Sequence, residues 1–237
     1  MCGLRIFCMK GFRKKYCQGV SGFYENCESY TNPHSSKFKF ILKKLFSWFP
    51  SDLMNLITLE QQPILDLACG TGQITEILMT DYHLEHILGL DPYLYQQYLF
   101  NTNKHVYPNS FDDLIMKRIT LPSLSLIICS YGLHLCDQID ELLEILKDST
   151  RYLCVISPHG LPYISESSGW RNLFTFKYSN IKTSLYTTLP LLPDSPQAES
   201  SESIQSANLS VDSIDSDLLM IFNQTSEEIS TSSPGEG

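Results

Sequence analysis

The chain has 237 residues, 43% of them hydrophobic, enough for one sizeable α/β domain with appendages and too few for two comfortable domains. Its net charge of −9 is uneven: residues 191–237 hold nine acids and no Lys or Arg, so the remaining 190 residues balance 17 cations against 17 acids. A neutral domain argues against a phosphate-binding face and so against a nucleic-acid substrate, and no run of 18 apolar residues predicts a transmembrane helix.

Arg5, Lys10, Arg13, Lys14 and Lys15 all precede the first acid, Glu25. A mitochondrial presequence shares that bias, but this segment is poor in Ser and rich in Cys, so residues 1–23 read as a disordered basic arm. Met9 offers a second start. The expected compartment is the cytoplasm, with a nuclear or mitochondrial address left open by the arm. Next comes "KFKFILKKLFSWF" (37–49), basic and amphipathic. It predicts a helix that packs Phe40, Ile41, Leu45 and Trp48 on the domain, with peripheral contact to a membrane surface as the alternative.

Apolar runs then recur at helix-sized intervals. "PILDLA" (63–68) leads into a helical pattern through Thr80, and "HILGLD" (86–91) into a helix candidate, "YLYQQYLFN" (93–101). After "SFDDLIM" (110–116) come "LSLIICS" (124–130), the amphipathic "QIDELLEILKD" (138–148) and "RYLCVISP" (151–158). Such alternation implies βαβ units, and continuously apolar strands imply a parallel sheet covered by helices on both faces. Beyond Pro158 the pattern loosens. "IKTSLYTTL" (181–189) and "DLLMIFNQ" (217–224) are candidates for a closing antiparallel pair, the second being the expected last strand of the domain. Between them, residues 191–216 are acidic and Ser-rich and predict a disordered insertion; residues 225–237 predict a disordered tail.

Eight cysteines contain no C-x-x-C, and Cys69, Cys129, Cys136 and Cys154 lie in or beside apolar runs, as reduced core thiols of an intracellular protein would. His83 and His86 have a ligand-like spacing but no second pair of ligands, so no structural metal is expected.

Ligands of such sheets bind at the carboxyl ends of the strands. The first of these ends reads "ILDLACGTGQITEIL" (64–78): an acid inside an apolar strand, then Gly70 and Gly72 at the turn into a helix. Glycines there let a ligand approach the backbone. Asp91, at the next strand end, can accept the hydroxyls of a ribose, so the ligand contains a nucleoside. A dinucleotide fingerprint would need a small residue where Thr75 stands. Tyr178 and Lys182 have a dehydrogenase-like Tyr-x-x-x-Lys spacing, but their segment is strand-like, which separates the two side chains.

"ILDLACGTG" resembles the first motif of class I S-adenosylmethionine-dependent methyltransferases, in the subgroup that includes ubiquinone and menaquinone methyltransferases. "LGLD", ending at Asp91, resembles their ribose-binding motif, "SYGLHL" (130–135) their fourth-strand exit, and "YENCESYTNPH" (24–34) the Tyr-rich lead that covers the cofactor. The likeness spans residues 24–189, with two departures, Ala68 for a first glycine and Pro92 for a small polar residue. It implies a doubly wound, mostly parallel seven-stranded Rossmann-like sheet, its last strand antiparallel, in a domain over residues 24–190 with an N-terminal cap helix.

The resemblance also implies S-adenosylmethionine as cofactor. Asp66 would orient its methionine end, Ala68, Gly70 and Gly72 would pass beneath it, and Asp91 would hold the ribose. Asp112, or less favourably Asp113, would reach the adenine amino group, and Ser130 would line the site; a helix N-cap pair is the competing reading of the two acids. His134 is the candidate base and Tyr131 the candidate orienting residue, with His34 and His159 at the rim. The acceptor would be a small molecule or a protein side chain. A non-catalytic scaffold on the same fold and an NAD-type oxidoreductase are the alternatives.

Overall fold

The computed structural model describes residue 32, residues 34–158 and residues 160–188. The basic arm, residues 24–31 and 33 of the Tyr-rich lead, His159, the Ser-rich segment, the expected strand 217–224 and the tail lie outside the described residues.

Two helices, α1 (Ser35–Phe46) and α2 (Ser51–Thr58), precede the first strand, β1 (Ile64–Leu67). The chain then alternates through α3 (Gln73–Tyr82), β2 (Ile87–Leu90), α4 (Tyr95–Thr102), β3 (Val106–Tyr107), α5 (Phe111–Ile115), β4 (Leu126–Ser130), α6 (Ile139–Lys147) and β5 (Tyr152–Ser157). A hairpin of β6 (Arg171–Tyr178) and β7 (Ile181–Thr187) follows. The sheet order is β3-β2-β1-β4-β5-β7-β6, with six strands parallel and β7 reversed between β5 and β6. This is the α/β architecture that the alternation implies, and among the described residues the seven strands lie within 64–187.

Because side chains alternate across a strand, successive apolar residues feed opposite layers. Ile64, Ile87, Leu126, Ile128, Cys154 and Ile156 pack under α1, α2 and α3, whereas Leu65, Leu67, Leu90, Ile127 and Leu153 pack under α5 and α6. Continuous apolar strands are thus the signature of a sheet buried on both sides. The chain leaves β1 toward β2 and β3, then returns to place β4 on the other side of β1. That reversal opens a crevice at the carboxyl ends of β1 and β4.

Helix α1 corrects the expected packing phase. Its buried residues are Phe38, Ile41, Leu42 and Leu45, the i, i+3, i+4, i+7 set of a helical stripe. Phe40 and Trp48 sit at the surface, 40% and 46% exposed. Strand β3 has two residues, too few for a periodic signal. The hairpin gives the Tyr178–Lys182 pair its geometry: Tyr178 packs on the α1 side, while Lys182 lies beside Tyr186 on the other. No helix among the described residues is long and apolar enough to cross a membrane.

Candidate functional site

The turn after β1 is a corner built on three left-handed residues, Ala68 (φ 59°), Gly70 (φ 55°) and Gly72 (φ 90°). Each glycine is needed for a different reason. A Cβ on Gly70 would meet nothing nearer than Leu94 at 4.0 Å, so this residue faces open space. A Cβ on Gly72 would stand 2.5 Å from the Thr102 methyl and 3.1 Å from the Tyr98 ring, so this residue exists to let α4 approach. Tyr98, fully buried, also fills the space that Gly89 leaves on β2.

Beneath the corner runs a short relay. The Thr75 hydroxyl donates to Asp66 Oδ2 at 2.9 Å, and, its one proton so committed, accepts from the Tyr98 hydroxyl at 3.1 Å. Asp66 is fully buried and its Oδ1 has no hydrogen-bond partner among the described residues. Burial pushes its carboxyl up to about 7, against the lowering effect of Thr75 and with a small upward push from Asp91. Thr75, which departs from a dinucleotide fingerprint, therefore has a partner that the motif itself supplies.

Above the corner lies a cavity of about 450 Å³ at the crevice. Of the residues singled out from sequence, Ala68, Gly70, Asp91, Asp112, Ser130, Tyr131 and His134 line it together. Asp66 and Gly72 are not among the lining residues: they shape the corner from below. Asp91 also differs from a simple two-pronged acceptor. Its Oδ2 accepts from Gly70 N–H at 3.0 Å, and its Oδ1 accepts from Tyr93 and Leu94 N–H at 2.9 and 2.7 Å. Three backbone donors fix the carboxylate and leave about one of its four lone-pair sites for a ligand.

The Asp112–Asp113 pair is resolved by helix α5. Ser110 is its N-cap, and Asp113 closes a capping box with it and pairs with Arg118 at 2.8 Å. Those bonds hold the Asp113 carboxyl down at about 2, while Asp112 is left to line the cavity. On the opposite wall, Gly132 lies so close to Ala68 that a Cβ would stand 2.4 Å from Ala68 Cβ. Tyr131 is left-handed (φ 63°), its N–H tied to Ile156 O; its ring stacks on His34 at 5.1 Å and tilts against Phe38 at 5.5 Å. Such strain at a strand exit is a mark of functional sites.

Several lining residues carry no sequence signal. Tyr93, Phe111 and Asn180 reach the cavity from three separate loops or element ends, which only the tertiary fold brings together. Cys69, Cys129 and Cys154 are buried and Cys136 half-buried; burial raises the thiol of each, to about 12 for Cys129. His83 is a left-handed helix cap, and among the described residues no three His, Cys, Asp or Glu form a metal-holding group.

No family profile matches the chain. An uncharacterized protein of Schizosaccharomyces pombe is 25% identical over 195 residues, covering 67% of this chain and 78% of its own length. Solved structures of similar fold include magnesium protoporphyrin IX methyltransferase of Synechocystis with bound S-adenosylmethionine (12% identity, TM-score 0.47, 70% of this chain and 90% of that one). A TehB-like S-adenosylmethionine-dependent methyltransferase of Corynebacterium glutamicum is similar at 16% identity and TM-score 0.45, over 66% of this chain and 99% of that one.

Proposed function

We propose that the chain is an S-adenosylmethionine-dependent methyltransferase acting on a small-molecule or protein acceptor, placed by its first motif beside the ubiquinone and menaquinone subgroup. One observation carries the reading: Gly70, bare toward the cavity, is fixed by its N–H to the carboxylate that ends the adjacent strand. This arrangement puts an uncovered backbone and an oriented acid on one cleft, and a nucleoside fits both. Asp91 would offer its remaining lone pair to the ribose, Asp112 would accept from the adenine amino group, and Ala68, Gly70 and Ser130 would form the floor.

The cofactor supplies an already activated methyl group, so the protein's task is alignment and exclusion of water, worth up to roughly 7–11 kcal/mol for ideal placement. Tyr131, locked by its backbone bond and the His34 ring, is suited to position an acceptor. His134, on the 3₁₀ turn after β4, would take the proton of an acceptor that has one to lose. Asp66 supports the corner through Thr75 and, from beneath it, would orient the methionine end of the cofactor.

Calorimetric titration tests the reading. S-adenosylmethionine binding at micromolar concentration, with NADH inert, is the expected result; NADH binding would select an oxidoreductase instead. Formation of S-adenosylhomocysteine with a cell extract as acceptor separates an enzyme from a scaffold.

A further inference from the structure

The neutral charge of the domain conceals a strong segregation. Helix α1 carries four Lys and no Asp or Glu; β6 and β7 add three cations and no acid, of which Lys177 and its register partner Lys182 lie on the side of the sheet away from α1. Among the described residues there are four ion pairs, and of these seven cations only Lys39 takes part, with Asp81. Interleaved with the cations is a set of aromatic rings joining α1 to β6, the edge strand of the sheet. Phe40 stacks on Tyr178 at 4.0 Å, and Trp48 meets Phe174 and Phe176 edge-on at 5.3 and 5.6 Å. The Lys44 ammonium sits 5.0 Å from the Trp48 and Phe176 rings.

We propose that this face is a peripheral docking surface for an anionic lipid bilayer. Lysines with long stems beside half-exposed Trp and Phe are suited to the headgroup layer, where the rings have an apolar body to bury and the ammonium groups meet lipid phosphates and carboxylates. Contact is peripheral, since no described helix can span a bilayer. Single-stranded nucleic acid, which also favours cations with aromatics, fits less well. Base stacking needs open ring faces, and here Tyr178 covers Phe40 while Lys44 lies over Trp48. The face is also tied to the cavity. The Lys37 ammonium donates to Ser179 Oγ and Asn180 Oδ1, both at 3.2 Å, and Asn180 lines the cavity wall. A docked bilayer would lie beside that wall, although the docking itself does not depend on which cofactor the cavity takes.

The test uses the full chain and vesicles of phosphatidylcholine with or without phosphatidylserine. The chain has two tryptophans, and Trp170 is fully buried, so iodide-accessible emission reports Trp48. We expect at least about ten-fold tighter co-sedimentation with phosphatidylserine, lost at high salt, with Trp48 emission shifted to the blue and protected from iodide. The exposed α1 charge reversal K43E should lower that affinity about ten-fold while leaving circular dichroism and Tm unchanged. Equal binding to both vesicles, an unprotected Trp48, or full binding by K43E, as the basic arm alone would give, overturns the proposal. So does binding of single-stranded RNA by a chain that ignores vesicles.

Discussion

Gly70 and Gly72 stand two residues apart in one turn, both at positive φ, yet they belong to different regions. The region above the corner, with Gly70, Asp91, Asp112 and Tyr131, faces the cavity and is fixed largely through backbone N–H groups. The region below, with Gly72, Asp66, Thr75 and Tyr98, is buried and closed on itself. Two glycines of the same motif thus divide the labour: one leaves room for a ligand, the other for a helix. Substitutions below the corner should therefore be read in stability, and substitutions above it in affinity.

The largest expected effect lies below. Asp66 titrates at about 7 in the folded chain against 3.8 in an ordinary setting, so between those values the folded state holds a proton that the unfolded state has released. Stability from this group is complete below about pH 4 and declines as pH rises to about 7, by up to roughly 4 kcal/mol at 1.36 kcal/mol per pKa unit. Urea unfolding across pH should show that decline in the native chain and lose it in Asp66→Asn. A native profile that is flat, or rises, would remove the buried carboxyl from the energetics of the corner.

Gly72→Ala comes next. Its Cβ would overlap the Thr102 methyl and be forced into a left-handed backbone, together costing about 3 kcal/mol by chemical denaturation. Gly70→Ala has the backbone penalty alone, about 1 kcal/mol, because its Cβ enters open space. Equal losses at the two positions would dissolve the distinction between them. Asp91→Ala bridges the regions: three backbone N–H groups lose their acceptor, so we expect about 2 kcal/mol of lost stability together with weaker cofactor binding. The smallest effect is Ala68→Gly, which relieves a left-handed alanine and should change stability by under about 1 kcal/mol, measurable as a small shift in Tm.

The sheet was legible because both of its faces are buried: a strand such as "LIICS" announces itself by hydrophobicity alone. Strand β3, two half-buried residues, carries no such mark, and the phase of α1 was obscured because Phe40 and Trp48 are apolar yet pack on rings rather than in the core. Site residues at strand ends could be found because strand order dictates where a crevice opens. What could not be found was direction. Asp66 and Asp91 look alike as acids in apolar strands, and only the placement of Thr75 and of the Tyr93–Leu94 backbone shows that one points inward and the other to the cleft. Asp112 and Asp113 were likewise separable only once Ser110 was seen to cap α5.

The most direct test of the corner is a calorimetric titration of S-adenosylmethionine into the native chain, Gly70→Ala and Gly72→Ala, each at a temperature where it is folded. We expect one micromolar site in the native chain, at least about ten-fold weaker binding in Gly70→Ala, which is about 1.4 kcal/mol, and near-native affinity in folded Gly72→Ala. No binding to the native chain, or undiminished binding to Gly70→Ala, would contradict the assignment of this cleft to an adenosyl ligand.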